Sequence, residues 1–274
     1  MGNFAEYFGH KVVVVGAGTM GSGIAETFVG NGWAVTLVDP STQTLERAAE
    51  SIAAAGGSGS LSTANDVAEL DRGRFVIETV PENPRLKTAV LSNIERLLKP
   101  ELLCSNTSSL SIGELQSVLE HPERFIGMHF FQPVPQTKLI ELVTTAVTSS
   151  RTLELARSCT QELGRKPIVV ADSPGFATSR LGIAIGLEAI RMVEENIATA
   201  SDIDDGMILG YQHGVGPLRM TDMVGLDTRL AISEHLAATL GPRFEPPALL
   251  RKMVAQGNLG RKSGQGFFSW PKEN

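Results

Sequence analysis

Lys11-Val12-Val13-Val14-Val15-Gly16-Ala17-Gly18-Thr19-Met20-Gly21 runs a β-branched strand straight into a glycine-spaced turn and then into residues of helical spacing. Gly16 permits the tight turn, Gly18 lets backbone amides approach a pyrophosphate, and Gly21 allows the helix to lie close on the strand. Thr19 and Met20 complete the turn, and the helix N-terminus behind them favours phosphate charge. A second apolar run, Ala34 to Val38, ends at Asp39, about twenty residues beyond the loop. A carboxylate there accepts ribose hydroxyls and repels a 2′-phosphate, so the expected cofactor is NAD rather than NADP.

Outward from this unit, short apolar runs alternate with helical patterns. The runs are KVVVVG, AVTLVD, RFVIETV, LLCSNTS, RFIGMHFF, KLIELV and PIVVAD; helices are predicted over Gly21–Asn31, Thr42–Ala55 and Arg85–Leu98. This is the pattern of βαβ units and predicts a Rossmann-type, doubly wound, mostly parallel sheet. Ala53 to Ser60 reads as a flexible Gly/Ser turn. After Asp172-Ser173-Pro174-Gly175-Phe176 the strand runs stop, and apolar residues recur at helical spacing, as at Leu181, Ile185, Ala189, Met192 and Val193. The expected organisation is therefore a nucleotide-binding domain over 1–172 and an all-α domain over 173–274.

A chain of 274 residues with 42% hydrophobic and 20% charged residues is an ordinary globular enzyme by composition. Its formal net charge of −6, without a basic, aromatic-laced run, argues against nucleic acid as a partner. No stretch is apolar enough for a signal peptide or membrane span, so a cytoplasmic protein is expected. Glu6 stands where a myristoylation pattern beginning at Met1-Gly2 needs Ser or Thr. Cys104 and Cys159 lack metal or redox spacing and read as reduced, structural thiols. His10, His121, His213 and His235 show no paired spacing, so surface positions are expected for them and no metal site.

Further segments follow in a set order. They are Glu78-Thr79-Val80-Pro81-Glu82-Asn83, Ser105-Asn106-Thr107-Ser108-Ser109-Leu110, His129-Phe130-Phe131-Gln132-Pro133-Val134 and the Pro174-Gly175-Phe176 junction. Beyond the junction come Gly216-Pro217, Asp222-Met223-Val224-Gly225-Leu226-Asp227 and Gly264-Gln265-Gly266-Phe267-Phe268. In this order, over nearly the whole chain, they resemble the L-3-hydroxyacyl-CoA dehydrogenase family. The resemblance implies His129 as general acid/base, Glu141 as the carboxylate that orients it, and Ser108 as a contact to the substrate oxygen. It also puts Glu82, Lys87 and Asn106 on the cofactor side of the site, although a solvated helix face is an equal reading for Lys87. Physical chemistry agrees with the pair: an imidazole titrating near neutrality suits loss of a hydroxyl proton, and Glu141, inside the apolar run Leu139 to Val143, needs a partner. Ser109 or Ser111 with Glu114 also reads as a helix-capping box.

Two positions depart from the family pattern. Gln132 and Ser179 stand where relatives carry asparagine, so contacts to the substrate must differ there. The segment from Asp39 to Glu78 is too short for the long helical hairpin by which relatives reach toward acyl-CoA. The function implied is NAD-dependent interconversion of a 3-hydroxyacyl and a 3-oxoacyl thioester, carried by CoA or by an acyl carrier protein. A homodimer formed through the helical domain is expected, with the substrate cleft between the domains. One alternative is an NAD-binding scaffold or sensor without chemistry. Another is a β-hydroxyacid dehydrogenase, but that class uses a lysine on the helix after the junction, and RLGIAIGLEAI has none.

Overall fold

The computed structural model describes residues 4–271; Met1 and Gly2, which open the myristoylation pattern, lie outside them. Its chain order is α1 (Phe4–Tyr7), β1 (Lys11–Val15), α2 (Thr19–Gly30), β2 (Ala34–Val38), α3 (Thr42–Ala55), β3 (Ser60–Ala64), β4 (Phe75–Glu78) and α4 (Pro84–Leu98). There follow β5 (Leu102–Ser105), α5 (Ile112–Gln116), β6 (Phe125–Phe130), β7 (Leu139–Thr144), α6 (Ser150–Glu162) and β8 (Lys166–Ala171). Helices alone come after: α7 (Thr178–Glu194), α8 (Ala200–Asp205), α9 (Pro217–Val224), α10 (Leu226–Leu240) and α11 (Ala248–Ala255). One compact unit ends at Ser173 and a second begins at Pro174. Among the described residues no helix is long and apolar enough to cross a membrane.

The eight strands lie in the order β3-β2-β1-β4-β5-β6-β7-β8, the doubly wound plan expected from the alternation. All neighbours are parallel except β6 and β7. The reason is the connection: the short loop after Phe130 cannot hold the dozen or more residues that a parallel crossover needs. Strand order reverses at β1, which lies between β2 and β4. Ligands of open α/β sheets bind at such a switch point, beyond the carboxyl ends of the strands.

Helix ends follow their caps. The Ser41 hydroxyl accepts from Thr44 N–H at the start of α3, and Gly56, at φ +77°, ends it. Asn83 caps α4 by accepting from Leu86 N–H, with Pro84 at the first position. Leu45, Ala48 and Ile52 of α3 and Leu91, Ile94 and Leu98 of α4 are buried at helical spacing. Ser111, not Ser109, is the cap of α5.

The Gly/Ser turn is tighter than its composition suggests. α3 keeps Ala53 to Ala55 and β3 takes Ser60. A Cβ at Gly59 would sit 2.2 Å from the Trp33 carbonyl oxygen, so glycine is present there for close approach.

The expected buried stripe of the first helix after the junction is shifted. Ile183, Leu187, Ala189 and Ile190 enter the core of the second unit, whereas Leu181 is 62% and Ile185 40% exposed. α7 carries apolar residues on more than one face, and spacing alone does not choose which of them packs. The carboxylate of Asp222 explains two of the C-terminal motifs. It accepts from Phe267 N–H, Phe268 N–H and Trp270 Nε1–H, and a Cβ at Gly266 would lie 2.2 Å from it.

Candidate active site

A cleft of about 910 Å³ opens in the first unit beyond the carboxyl ends of β1, β2, β4, β5 and β6. Gly16, Gly18, Thr19, Met20, Asp39, Glu82, Asn106, Ser108, His129 and Gln132 all line it. Gly16 turns at φ +106°, and a Cβ at Gly21 would fall 1.8 Å from the Gly16 carbonyl oxygen. At Gly18 an added Cβ would meet nothing within 4 Å, and Gly18 begins α2 without a side-chain cap. The first turn of α2 thus presents amides to open space, which fits a dinucleotide pyrophosphate. Asp39 accepts from Ala17 N–H at 2.9 Å and Ser41 N–H at 2.9 Å, which ties the acid at the end of β2 to the glycine loop.

His129 is next to last in β6, and its register partner across the antiparallel pair is Glu141 of β7. Nδ1 and Oε2 are 2.9 Å apart, with His129 6% exposed and Glu141 fully buried. A buried carboxylate at Nδ1 keeps a hydrogen on that nitrogen and makes Nε2 the basic one. Asn106, just beyond β5, accepts from Phe130 N–H through Oδ1 at 2.9 Å, so it steadies the strand that carries His129.

Glu82 gathers the turn after β5 onto one oxygen. Its Oε1 accepts from Thr107 Oγ1–H (2.7 Å), Ser108 N–H (3.0 Å), Ser109 N–H (3.0 Å) and Ser109 Oγ–H (2.9 Å). Burial, the largest single influence, raises the Glu82 pKa, but these donors and the Lys87 charge outweigh it and hold the carboxyl below its usual range. Ser108, on this turn, is exposed into the cleft.

Lys87 corrects both of its readings. Its side chain is 0% exposed, so it neither lies on a solvated helix face nor presents a surface to a cofactor. Nζ lies 2.9 Å from Glu78 Oε1 and 3.6 Å from Glu82 Oε2. The cause is its place on the inner stripe of α4 with Leu91 and Ile94, opposite the acidic end of β4. Burial pushes the Glu78 pKa up against the pull of Lys87, while Ser105 Oγ–H donates to Glu78 at 2.6 Å.

Ser179 is in the first turn of α7, in the second unit. Cys104 and Cys159 are buried free thiols, with burial raising both pKa values. His10, His121 and His235 are exposed and His213 is half-buried; among the described residues no cluster could hold a metal ion. Sequence reasoning missed Thr79, whose Oγ1–H lies 2.8 Å from the Gly16 carbonyl and 3.0 Å from that of Val15. The Glu-Thr-Val-Pro-Glu segment was its only signal, because a threonine after a strand has no distinctive spacing.

Comparison with known proteins bears on this geometry. Residues 11–173 match the family described as 3-hydroxyacyl-CoA dehydrogenase, NAD binding domain, and residues 175–270 match the 3-hydroxyacyl-CoA dehydrogenase C-terminal domain. A probable 3-hydroxybutyryl-CoA dehydrogenase of Bacillus subtilis is 36% identical over 96% of this chain and 98% of that protein. The mitochondrial hydroxyacyl-coenzyme A dehydrogenase of Sus scrofa is 34% identical, over 94% of this chain and 90% of that protein. Among solved structures, the (S)-3-hydroxybutyryl-CoA dehydrogenase of Ralstonia eutropha superposes with a TM-score of 0.89 at 36% identity, over 96% of this chain and 99% of that one. Two matched domains in order and relatives aligned nearly end to end lead to one conclusion: this chain belongs to the 3-hydroxyacyl-CoA dehydrogenase family of NAD-dependent oxidoreductases.

Proposed function

We propose that this chain interconverts a 3-hydroxyacyl thioester and its 3-oxoacyl form, with His129 as acid/base, Glu141 orienting it and Ser108 touching the substrate oxygen. The observation that carries this reading is the buried His129–Glu141 pair on the same cleft as the glycine loop and Asp39. NAD, when bound, accepts the hydride that leaves the carbinol carbon. In oxidation the hydroxyl proton passes to Nε2 of His129 as the C=O bond forms, and Glu141 stabilises the imidazolium. In reduction the same proton returns to the oxygen. Ser108 donates to that oxygen, and Glu82 holds the Ser108 turn in place. Gly16, Gly18, Thr19, Met20, Gly21 and Asp39 hold the dinucleotide, with Asn106 supporting His129 from behind.

His129→Ala tests the assignment. NADH binding should survive while reduction of acetoacetyl-CoA falls by about 100- to 10,000-fold; unchanged turnover would remove His129 from the chemistry.

The acyl group is carried by CoA or by a carrier protein. Between Asp39 and Glu78 the chain has one helix and one strand followed by a short 3₁₀ turn, which supports a reduced grip on free CoA and keeps the carrier-protein reading in play. Comparing acetoacetyl-CoA with the carrier-bound thioester decides it, because efficient turnover of the free CoA ester removes the carrier-protein version. Gln132, on the cleft, and Ser179, on α7, are assigned to the substrate side. Exposed Leu181, Ile185, Leu209 and Tyr211 support a homodimer formed through the helical unit. Sedimentation of a monomer at micromolar concentration would reject it.

A further inference from the structure

The peptide unit that joins Gly16 to Ala17 is held at both ends. Thr79, just beyond β4, donates its Oγ1–H to the Gly16 carbonyl oxygen at 2.8 Å, and Ala17 N–H donates to Asp39 Oδ2, just beyond β2, at 2.9 Å. The ends of three neighbouring strands thus meet on one amide: β1 leads into it, β4 grips its oxygen and β2 receives its hydrogen. Gly16 and Ala17 are buried, and a Cβ at Gly21 would fall 1.8 Å from the same carbonyl oxygen, so the first turn of α2 closes over it. A carbonyl covered in this way has to find its donor within the protein.

The Thr79 hydroxyl has one hydrogen and two acceptors in reach, Gly16 O at 2.8 Å and Val15 O at 3.0 Å. Val15 O already accepts from Thr79 N–H at 2.7 Å, which leaves the hydroxyl for the nearer Gly16 oxygen. Hydrogen bonds at the two ends of an amide polarise one another, so a donor on the Gly16 oxygen strengthens the bond from Ala17 N–H to Asp39. The other Asp39 oxygen, Oδ1, accepts from Ser41 N–H at 2.9 Å. One backbone amide on each oxygen sets the plane of the carboxylate and leaves its remaining lone pairs for a ligand. Thr79 and Asp39 line the same cleft.

We propose that Thr79 is a positioning residue for the dinucleotide: by gripping the Gly16 carbonyl it fixes the Gly16–Ala17 amide and, through that amide, the direction of the Asp39 carboxylate that tells NAD from NADP. It acts through Asp39 and has no part in hydride or proton transfer. This rests on the reading in which Asp39 meets the ribose hydroxyls, and the experiment tells a failure of that reading from a failure of the clamp.

The test measures the Kd of NADH and of NADPH by fluorescence titration in wild type, Thr79→Val, Thr79→Ser, Asp39→Asn and the double variant Thr79→Val/Asp39→Asn. Wild type should prefer NADH. Thr79→Val keeps the shape and removes the donor; it should weaken NADH by about 3- to 10-fold, the worth of one hydrogen bond. NADPH should weaken less, because a loosened Asp39 can turn away from the 2′-phosphate, so the preference for NADH shrinks. Thr79→Ser, which retains the donor, should restore both NADH affinity and preference. Asp39→Asn should abolish most of the preference, and adding Thr79→Val to it should lower the preference no further. NADH affinity and preference unchanged in Thr79→Val overturn the proposal. So does an equal weakening of both cofactors, which a merely structural threonine would give, and so does a Ser variant that behaves like Val. Should Thr79→Val fail to fold, Thr79→Ala, which only removes atoms, carries the same measurement. If Asp39→Asn leaves the preference unchanged, it is the Asp39 reading that fails. The clamp on the loop is then decided by NADH affinity alone: a loss in Val that Ser restores supports it, and no loss overturns it.

Discussion

Lys87 Nζ lies 2.9 Å from Glu78 Oε1 with neither side chain exposed to any degree, and the same ammonium stands 3.6 Å from Glu82 Oε2. One buried cation therefore joins the end of β4 to the carboxylate that shapes the Ser108 turn. Removing it by Lys87→Met strands Glu78 without a counter-charge and should cost about 3–5 kcal/mol of stability. The double variant Lys87→Met/Glu78→Gln should recover most of that loss. Urea midpoints of the two proteins check this, and a loss below about 1 kcal/mol in the single variant would show that the triad is not an integral charge network.

Glu82 and Glu78 titrate in opposite senses. The Glu82 carboxyl is held below its usual range, so the stability its contacts supply is complete above the unfolded value of about 4.3 and drains away as pH falls through the folded one. Glu78, pushed up by burial, works the other way, so the informative comparison is wild type against Glu82→Gln rather than wild type alone. Wild type should lead the variant at pH 7, and the gap should close as the urea midpoint is followed from pH 6 toward pH 3. A gap that holds constant in acid would mean that the Glu82 charge contributes nothing to the fold.

Glu141→Gln keeps the shape at the base of the cleft but removes the charge beside Nδ1. An amide cannot stabilise the imidazolium and can orient the wrong tautomer, so kcat should drop by about 100- to 10,000-fold with NADH affinity retained. Fluorescence titration with NADH and steady-state kinetics separate the two effects; equal losses in cofactor binding and turnover would point to a folding defect instead.

At Gly21 even a methyl group is excluded. Gly21→Ala places Cβ 1.8 Å from the Gly16 carbonyl oxygen and 2.6 Å from Thr79 Oγ1, so α2 must shift away from β1. The expected penalty is about 1–3 kcal/mol in stability, with weaker NADH binding because the amides of the first turn move together. At Gly18, where a Cβ meets no protein atom, Gly18→Ala should leave stability nearly unchanged and weaken the cofactor alone. Thermal unfolding with and without NADH tells the two glycines apart.

Periodicity, the glycine loop and the acid at position 39 were enough to define the doubly wound sheet, the helical second half and the dinucleotide cofactor, because each depends on neighbours a few residues apart. The same is true of the bounds of α3, which Ser41 and Gly56 mark in the chain itself. Tertiary structure decided what depends on residues far apart. It placed Glu141 opposite His129 through antiparallel register, turned Lys87 inward onto Glu78, and chose Ser111 over Ser109 as a cap by giving Ser109 to Glu82. The physical reason is that a charged side chain reads as solvated in a sequence until folding shows which distant group meets it. Its burial and its partner are properties of packing, and local spacing carries no record of either.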